Sequence, residues 1–276
     1  MAISSDHVQF RYGDALDPGP LAATSDLVAS MVARGSCRAF SDRAVARGLS
    51  ELLCAAALAA PTKSDLQQRD IVVLRDPEVK ARFVALVGPD NWVADAPHFA
   101  VFCGNHRRQR MLHKLRGHAF ANDHLDAFFN ATVDAAIALS AFVSAAEALG
   151  LGCCPISAVR NDAAGVSDLL ALPDHVFPVA GLAYGYPLDP TPRISMRLPL
   201  AATVHEDRYA ETGQAEAIAQ YDARRTAAQP YAQQRDTGRF GTAEAYGWSE
   251  DKSRQYATPE RQTFGAFVRG KGFNLS

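Results

Sequence analysis

The longest uninterrupted helical pattern in this chain is LDAFFNATVDAAIALSAFVSAAEAL, residues 125–149. About 25 residues of α-helix extend roughly 38 Å, and Gly150 is a suitable residue to end the helix. In the first half, Leu125, Phe128, Phe129, Val133, Ala136 and Ile137 form an apolar face, and Asp126, Asn130 and Asp134 lie off it. From residue 135 nearly every side chain is small or apolar, which predicts a helix buried on all sides. Such a helix suits either the core of one chain or an interface between two copies.

Shorter apolar segments flank this helix. Their periodicity predicts helices over residues 24–33, 46–59, 77–87 and 166–172 and buried strands over residues 71–74, 99–103 and 177–186. Thr24 or Ser25 is a candidate cap for the first helix. Pro61 ends the second, because the residue before a proline is disfavoured in a helix. Strands that alternate with helices predict an α+β or α/β chain built on one sheet.

The composition of the 276 residues is that of an ordinary globular protein, with 48% hydrophobic residues and a net charge of −2. This charge gives no support for a polyanionic partner such as nucleic acid. Residues 1–10 lack the basic start and apolar run of a secretion signal. We therefore predict a cytoplasmic protein without a membrane segment.

Five cysteines are present, at positions 37, 54, 103, 153 and 154, and none is in a CxxC pair. An odd number without paired spacing argues against a disulfide framework and against a structural zinc site. We expect reduced thiols, with Cys153 and Cys154 buried at the start of a strand rather than redox-active.

The segment Ala33-Arg34-Gly35-Ser36-Cys37-Arg38-Ala39-Phe40 is a candidate anion site. In an extended chain Arg34, Ser36 and Arg38 share a face, each about 6.5–7 Å from the next. Two guanidinium groups with a hydroxyl between them match the oxygens of a phosphate. The pattern alone is also typical of a solvated surface.

Residues 104–123 are strongly basic, with five lysine and arginine residues, three histidines and no acid before Asp123. An exposed helix or loop is one interpretation, because charged runs usually face solvent. A mobile basic flap over an anionic ligand is another. A metal site is a third, although His106, His113 and His118 are seven and five residues apart and do not share a helical face.

From residue 205 to the end, alanine, glutamine and charged residues dominate. Large apolar residues are too few there for an independent core. This segment is expected to lie on the body of the protein, to wrap a partner subunit, or to be mobile. The predicted domains are therefore a core over 1–204 and an extension over 205–276.

The order of these features resembles the nitroreductase superfamily, and most of all its NADPH-dependent, oxygen-insensitive nitroreductase and flavin reductase branch. The resemblance spans residues 27–273 and rests on several short motifs in sequence. They are the arginine–serine segment, the Pro61 turn, Gly150-Leu151-Gly152, Gly185-Tyr186-Pro187, Leu198-Pro199, His205-Glu206, Tyr209, Tyr221-Asp222, Trp248-Ser249-Glu250 and Gly272-Phe273.

The resemblance implies an α+β fold with a central mixed sheet flanked by helices, a long central helix at a dimer interface and an extended C-terminal arm. It also implies a homodimer with two FMN molecules, each contacted by both chains. The residues implied to bind the FMN phosphate are Arg34, Ser36, Arg38 and Arg197. Those implied to lie along the ring and ribityl chain are Pro61, Thr62, Lys63 and Asp65, and those whose backbone would face the ring are Pro155, Ile156, Ser157 and Ala158.

Some positions depart from the family pattern. Gly35 and Ser195 stand where relatives often carry basic residues, so the phosphate site has less charge. Asp65 replaces the usual asparagine, and a carboxylate there opposes the negative charge of reduced flavin. Gln68-Arg69 replaces the common Pro-Trp, and Lys63 is a candidate to balance Asp65.

The resulting hypothesis is a two-step exchange, in which NADPH reduces FMN and an acceptor such as a nitroaromatic, a quinone or a flavin then takes two electrons. No side chain is assigned as catalytic and no metal is assigned. Candidates for the extra phosphate of NADPH are Arg224, Arg225, Arg235 and Arg239. The alternatives are a flavin-dependent dehydrogenase or dehalogenase of one metabolite, and a flavin-binding protein with little turnover.

Two other enzyme classes are excluded by their motifs. Gly35-Ser36-Cys37 is not the GxSxG elbow of a serine hydrolase. Gly150-Leu151-Gly152 continues as Cys-Cys-Pro and lacks the third glycine of a dinucleotide-binding turn.

Overall fold

The computed structural model describes residues 5–13, 26–88, 92–191 and 193–276. The α-helices there are α1 (Ser5–Tyr12), α2 (Asp26–Ala33), α3 (Arg47–Leu58), α4 (Pro77–Val87), α5 (Arg107–Arg116), α6 (Leu125–Ala148), α7 (Ala163–Leu169), α8 (Gln214–Ala228), α9 (Thr237–Phe240), α10 (Trp248–Tyr256) and α11 (Phe264–Gly270). The strands are β1 (Arg69–Leu74), β2 (His98–Asn105), β3 (Gly152–Ile156) and β4 (Val176–Gly185). The predicted caps Thr24 and Ser25 lie outside the described residues.

Internal contacts group the chain into two compact units. Unit 1 comprises 1–35 and 193–260, and unit 2 comprises 36–192 and 261–276. The limits of these units, at 35/36, 192/193 and 260/261, differ from the predicted domain boundary at 204/205. That boundary stays a prediction. The C-terminal α11 belongs to unit 2, where Phe264, Phe267 and Phe273 pack with Phe128 and Phe177.

Unit 2 is built on a four-stranded sheet in the order β1-β2-β4-β3. All three strand pairings are antiparallel, so the expectation of a mixed sheet is wrong. Side chains of a strand alternate between its two faces. Phe102 therefore packs with Phe142 of α6 on one face, whereas Val101 packs with Phe83 of α4 on the other.

Local sequence explains the shorter helices well. Asp76 accepts hydrogen bonds from the backbone N–H groups of Glu78 and Val79 and thereby caps α4, which starts at Pro77. Cys153 and Cys154 are buried in β3, as predicted. All five cysteines are free thiols.

Helix α6 is less uniformly buried than its composition suggests. Leu125, Phe129, Val133 and Ile137 recur every four residues and are exposed, Phe129 by 59%. The prediction of burial on all sides applies from residue 135 onward, and it is wrong there for the described residues of a single chain, in which Ala136, Ile137 and Ser140 are exposed. The sequence pattern predicts that Asp134 lies off the apolar face, but the structure buries its side chain, which is only 1% exposed.

Helix α6 is also the one helix among the described residues that is long and apolar enough to cross a membrane by length and composition. A core helix meets the same two criteria.

In unit 1, three separate segments of residues 193–260 pack around Tyr221. The ring of Tyr221 packs edge-on to Trp248 at a centroid distance of 5.3 Å. Its hydroxyl donates to the carbonyl of Met196 at 3.1 Å. Asp222 accepts from the backbone N–H of Ser249 at 2.9 Å. Two segments of the predicted resemblance, Tyr221-Asp222 and Trp248-Ser249, thus pack together.

Candidate cofactor site

In unit 1, the backbone around two of the predicted phosphate ligands, Arg34 and Arg197, is joined by Arg11. The guanidinium of Arg11 is buried and donates to the carbonyls of Val32 at 2.8 Å, Ser195 at 3.0 Å and Arg34. The carbonyl of Arg11 accepts from the N–H of Arg197 at 2.7 Å. The exposed side chain of Arg197 donates to the carbonyl of Met196 at 3.0 Å. Arg11 was not singled out from the sequence, although it fixes both segments.

Gly35 has a steric role that the sequence did not reveal. A Cβ atom at this position would lie 2.0 Å from the carbonyl oxygen of Arg193. Real Cβ atoms essentially never approach backbone that closely. The absence of a second arginine at this position is thus required by the packing of unit 1.

Unit 2 holds the other two predicted phosphate ligands, Ser36 and Arg38. Residues 34–39 have no helical or strand structure, and Phe40 forms an isolated antiparallel bridge with Pro187. The N–H of Cys37 donates to the carbonyl of Cys153 at 2.9 Å, which anchors this segment to β3. Arg38 is exposed and lies over the ring of Trp92 at 5.8 Å from its centroid. Among the described residues, this cation–π contact and not an ion pair orients the guanidinium of Arg38.

The Pro61 turn has a strained backbone. Ser64, Asp65 and Gln67 have φ of 48°, 56° and 52°, in the left-handed region that favours glycine. Each such residue costs of order 1–3 kcal/mol and persists only where the surroundings hold it. Lys63–Asp65 forms a single 3₁₀ turn within this segment.

Three side chains from two helices hold the turn from behind. Asp134 of α6 accepts from the N–H groups of Lys63 and Gln68, both at 3.0 Å. From α5, Gln109 donates to the carbonyl of Leu66 and Arg108 to that of Gln67, both at 2.6 Å. Sequence reasoning missed Asp134 and Gln109, although a single acid in a run of small apolar residues is a signal for a buried acceptor.

These contacts give the basic segment a different role from a flap. Residues 107–116 form the regular helix α5, whose Arg108 pairs with Asp70 and Arg110 with Asp123, both at 2.6 Å. The structure therefore supports the interpretation of a surface helix that braces the turn. The rings of His106 and His113 pack against Phe120. Among the residues that the structure describes, no group of three or more His, Cys, Asp and Glu side chains could hold a metal.

A cavity of about 410 Å³ lies beside the turn. It is lined by Leu58, Ala59, Ala60, Pro61, Thr62, Asp65, Gln67 and Arg69. Its volume is in the usual range for small-molecule sites. The predicted cofactor residues Pro61, Thr62 and Asp65 are thus brought together at one cavity, whereas exposed Lys63 is not among its lining residues.

The polar groups at this cavity fit a flavin. Arg69 is buried and donates from one NH₂ group to the carbonyls of Leu58 at 2.6 Å and Ala60 at 3.0 Å. Its Nε and second NH₂ group have no hydrogen-bond partner within the described part of the chain. The same holds for the amide of buried Gln68, which does not line the cavity. An unsatisfied cation suits the electron-rich pyrimidine edge of a flavin. Asp65 accepts from the side chain of Gln67 at 3.1 Å, which offsets part of its charge.

The end of β3 supplies the backbone predicted to face the ring. Ile156 is buried, whereas its neighbours Pro155 and Ser157 are exposed and Ala158 is half-buried. A 3₁₀ helix starts at Ser157, whose hydroxyl accepts from Arg261 at 3.2 Å. Arg261 also donates to the side chain of Asn161 at 2.8 Å, so the C-terminal segment steadies this loop.

The four arginines that are candidates for binding NADPH differ in their exposure and in their contacts within unit 1. Half-buried Arg224 donates to the carbonyls of Phe10 at 3.1 Å and Arg197 at 2.8 Å, which is a structural role. Half-buried Arg225 lies over the ring of Tyr231 at 4.4 Å. Arg235 and Arg239 are exposed, with Arg235 3.6 Å from Asp251 and Arg239 bonded to the carbonyl of Ala257. The exposed pair are the better candidates for a ligand.

Comparisons with known proteins agree with this architecture. A family model described as "Nitroreductase family" matches residues 31–186, and one described as "Nitroreductase family, C-terminal domain" matches residues 195–276. The chain is 33% identical over 189 residues to the FMN reductase [NAD(P)H] of Bacillus subtilis, covering 67% of this chain and 75% of that protein. It is 34% identical over 187 residues to the oxygen-insensitive NADPH nitroreductase of Salmonella typhimurium, covering 68% and 75%.

Among solved structures, that of B. megaterium NfrA2 superimposes with a TM-score of 0.81 at 30% identity, covering 92% of this chain and all of that one. The chain therefore belongs to the nitroreductase family. The predicted family and the predicted α+β, nitroreductase-like fold are confirmed.

Proposed function

We propose that this protein is an FMN-dependent NAD(P)H oxidoreductase that transfers two electrons to nitroaromatic, quinone or flavin acceptors by a ping-pong route. Its oxidoreductase class, its use of FMN and its use of NADPH as co-substrate agree with the names of its relatives, which include an NADPH-flavin oxidoreductase from Vibrio harveyi at 29% identity over 90% of this chain. The single observation that carries the proposal is the cavity of about 410 Å³ beside the left-handed turn of residues 63–67.

When bound, FMN supplies the redox chemistry, because it accepts a hydride equivalent from the nicotinamide and gives two electrons to the acceptor. The protein's part is binding and orientation. On the resemblance, Arg34, Ser36, Arg38 and Arg197 would bind the phosphate. Pro61, Thr62, Lys63 and Asp65 would lie along the ring and ribityl chain, with the backbone of residues 155–158 facing the ring. No side chain is needed as a general acid.

Arg69 and Asp65 would set the charge at the cavity. A buried guanidinium favours negative charge on a neighbouring group, whereas a carboxylate opposes it. The carboxylate of Asp65 is bonded to Gln67, and two nitrogens of Arg69 have no partner among the described residues, so the balance favours an electron-rich ring. Asp65, which stands where relatives carry asparagine, is therefore expected to weaken flavin binding less than its charge alone would suggest.

The proposal includes a homodimer in the cytoplasm. The exposed stripe of α6, formed by Leu125, Phe129, Val133 and Ile137, is the surface that a second copy would cover. The extension over residues 205–276 would contribute to binding of NADPH and to contacts with the core or the partner subunit. Light scattering should give twice the mass of 29.7 kDa, and Phe129→Glu should lower it toward the monomer.

The visible spectrum of the purified protein tests the central claim. We expect flavin absorption in the protein as isolated or after incubation with FMN, and its loss on anaerobic addition of NADPH. Steady-state rates should then give parallel double-reciprocal plots when NADPH and a quinone are varied. Colourless protein that takes up no FMN would contradict the proposal, and flavin that NADPH fails to reduce would point to another electron donor.

A further inference from the structure

Asp134 is a buried acid in a helix of small apolar residues. It is 1% exposed, and its helical neighbours Ala131, Ala135 and Ala138 are fully buried. A carboxyl group in such surroundings is unfavourable unless its oxygens are hydrogen-bonded. Both oxygens are bonded, and both partners are backbone groups of one turn.

The two partners are the N–H groups of Lys63 and Gln68, which bound the strained segment. Oδ1 accepts from Lys63 and Oδ2 from Gln68, each at 3.0 Å. Between them lie three non-glycine residues with left-handed backbone, at positions 64, 65 and 67. Such backbone persists only where its surroundings hold it. One carboxyl group thus bridges the two ends of the turn and fixes their separation.

We propose that Asp134 is a positioning residue for FMN, which holds residues 63–68 in the conformation that binds the flavin. The inference rests on the proposed function, because the turn lines the candidate cofactor cavity. Asp134 acts through the backbone of Lys63 and Gln68. Gln109 and Arg108 of α5 support the turn at Leu66 and Gln67, but neither bonds to the N–H groups at its ends.

Asp134→Asn is the sharpest variant. The asparagine side chain has nearly the same shape, but its one carbonyl oxygen can replace only one of the two acceptors, and its NH₂ group then faces the other backbone N–H. We expect the Kd for FMN, measured by quenching of flavin fluorescence, to rise about tenfold or more. The absorption bands of the bound flavin should also shift. Asp126→Asn, at an exposed position of the same helix, is the matched control and should leave both unchanged.

Rescue by glycine separates positioning from a general packing defect. Glycine adopts left-handed backbone without the steric cost of a Cβ atom. Ser64→Gly added to Asp134→Asn should therefore recover most of the lost FMN affinity. A loss that Ser64→Gly fails to restore would assign Asp134 to core packing and overturn the proposal, as would wild-type affinity and spectrum in Asp134→Asn.

Wild-type protein gives a test that needs no variant. The backbone amides of Lys63 and Gln68 should exchange slowly with deuterium, and rapid exchange at both would contradict the bridge even if Asp134→Asn did not fold. If wild-type protein binds no FMN, the proposed function fails and this inference with it. If wild type binds FMN and Asp134→Asn binds it equally well, the inference alone fails.

Discussion

The buried guanidinium of Arg11 donates to the backbone carbonyl of Ser195 at 3.0 Å, across 184 positions of sequence. Arg11→Met would remove this bond and those to Val32 and Arg34, so three carbonyls of half-buried residues would lose this donor. We expect the free energy of unfolding to fall by about 2–3 kcal/mol. Chemical denaturation would measure it. Arg47→Met, at an exposed helical position, should have a much smaller effect, and equal effects would contradict the structural role of Arg11.

The arginines assigned to the phosphate should distinguish FMN from riboflavin, which lacks that group. Arg38→Ala should raise the Kd for FMN by about tenfold to a hundredfold, since a charge-assisted bond is worth about 1.5–3 kcal/mol. The Kd for riboflavin should not change. Arg43→Ala, nearby and also exposed, is the control. An equal loss of affinity for both flavins would show that Arg38 does not bind the phosphate.

Substitution by alanine should lower the stability of the protein at Gly35 and raise it at Gly48. Gly35→Ala places a methyl group against the Arg193 carbonyl, so we expect a loss of stability of at least about 2 kcal/mol. Gly48 lies within α3 with open space around it, and Gly48→Ala should gain about 0.5–1 kcal/mol. Thermal unfolding of the two variants provides the measurement. A Gly35→Ala protein as stable as the wild type would contradict the close approach of residue 35 to the Arg193 carbonyl.

Stability should fall as the pH is lowered through the titration of His106. Burial, followed by the charges of Arg110 and His175, lowers the pKa of His106 from 6.5 to about 4, and Asp123 opposes them only partly. Because the folded state holds the neutral form, this contribution is fully present above pH 6.5 and is lost between pH 6.5 and 4. Its size is at most about 3 kcal/mol.

His106→Phe keeps a ring against Phe120 and removes the titration. Unfolding measured from pH 7 to 4 should therefore be flatter for this variant. A remaining slope is expected from His98 and His175, because burial lowers the pKa of each. Identical slopes in the variant and the wild type would exclude His106 as the source.

The exposed arginines of unit 1 should set the preference between the two nicotinamide cofactors. Arg235→Ala with Arg239→Ala should raise the KM for NADPH about tenfold or more and leave that for NADH nearly unchanged, because only NADPH carries the extra phosphate. Arg224→Ala should instead lower stability, since its guanidinium holds two backbone carbonyls. Equal changes in the two KM values would rule out the assignment.

Helices and strands were predictable from the sequence where nearby residues specify them. The helix from Pro77 to Val87 is specified by its own cap at Asp76 and its own proline, and the strands by short apolar runs. The Pro61 turn was also located, although its left-handed residues, Ser64, Asp65 and Gln67, carry no glycine that would have marked them. Antiparallel pairing was not predictable, because strand direction depends on how distant segments meet.

By itself, the sequence determined the family, most of the helices and strands between residues 24 and 186, and the residue types proposed to bind flavin, because these are written in local patterns and in their succession. Tertiary structure alone decided what holds the site. Asp134 meets Lys63 across 71 positions and Arg11 meets Ser195 across 184, and no local pattern specifies such partners. The reason is physical: a buried polar side chain must find a hydrogen-bond partner, and only the folded chain determines which backbone group lies within reach.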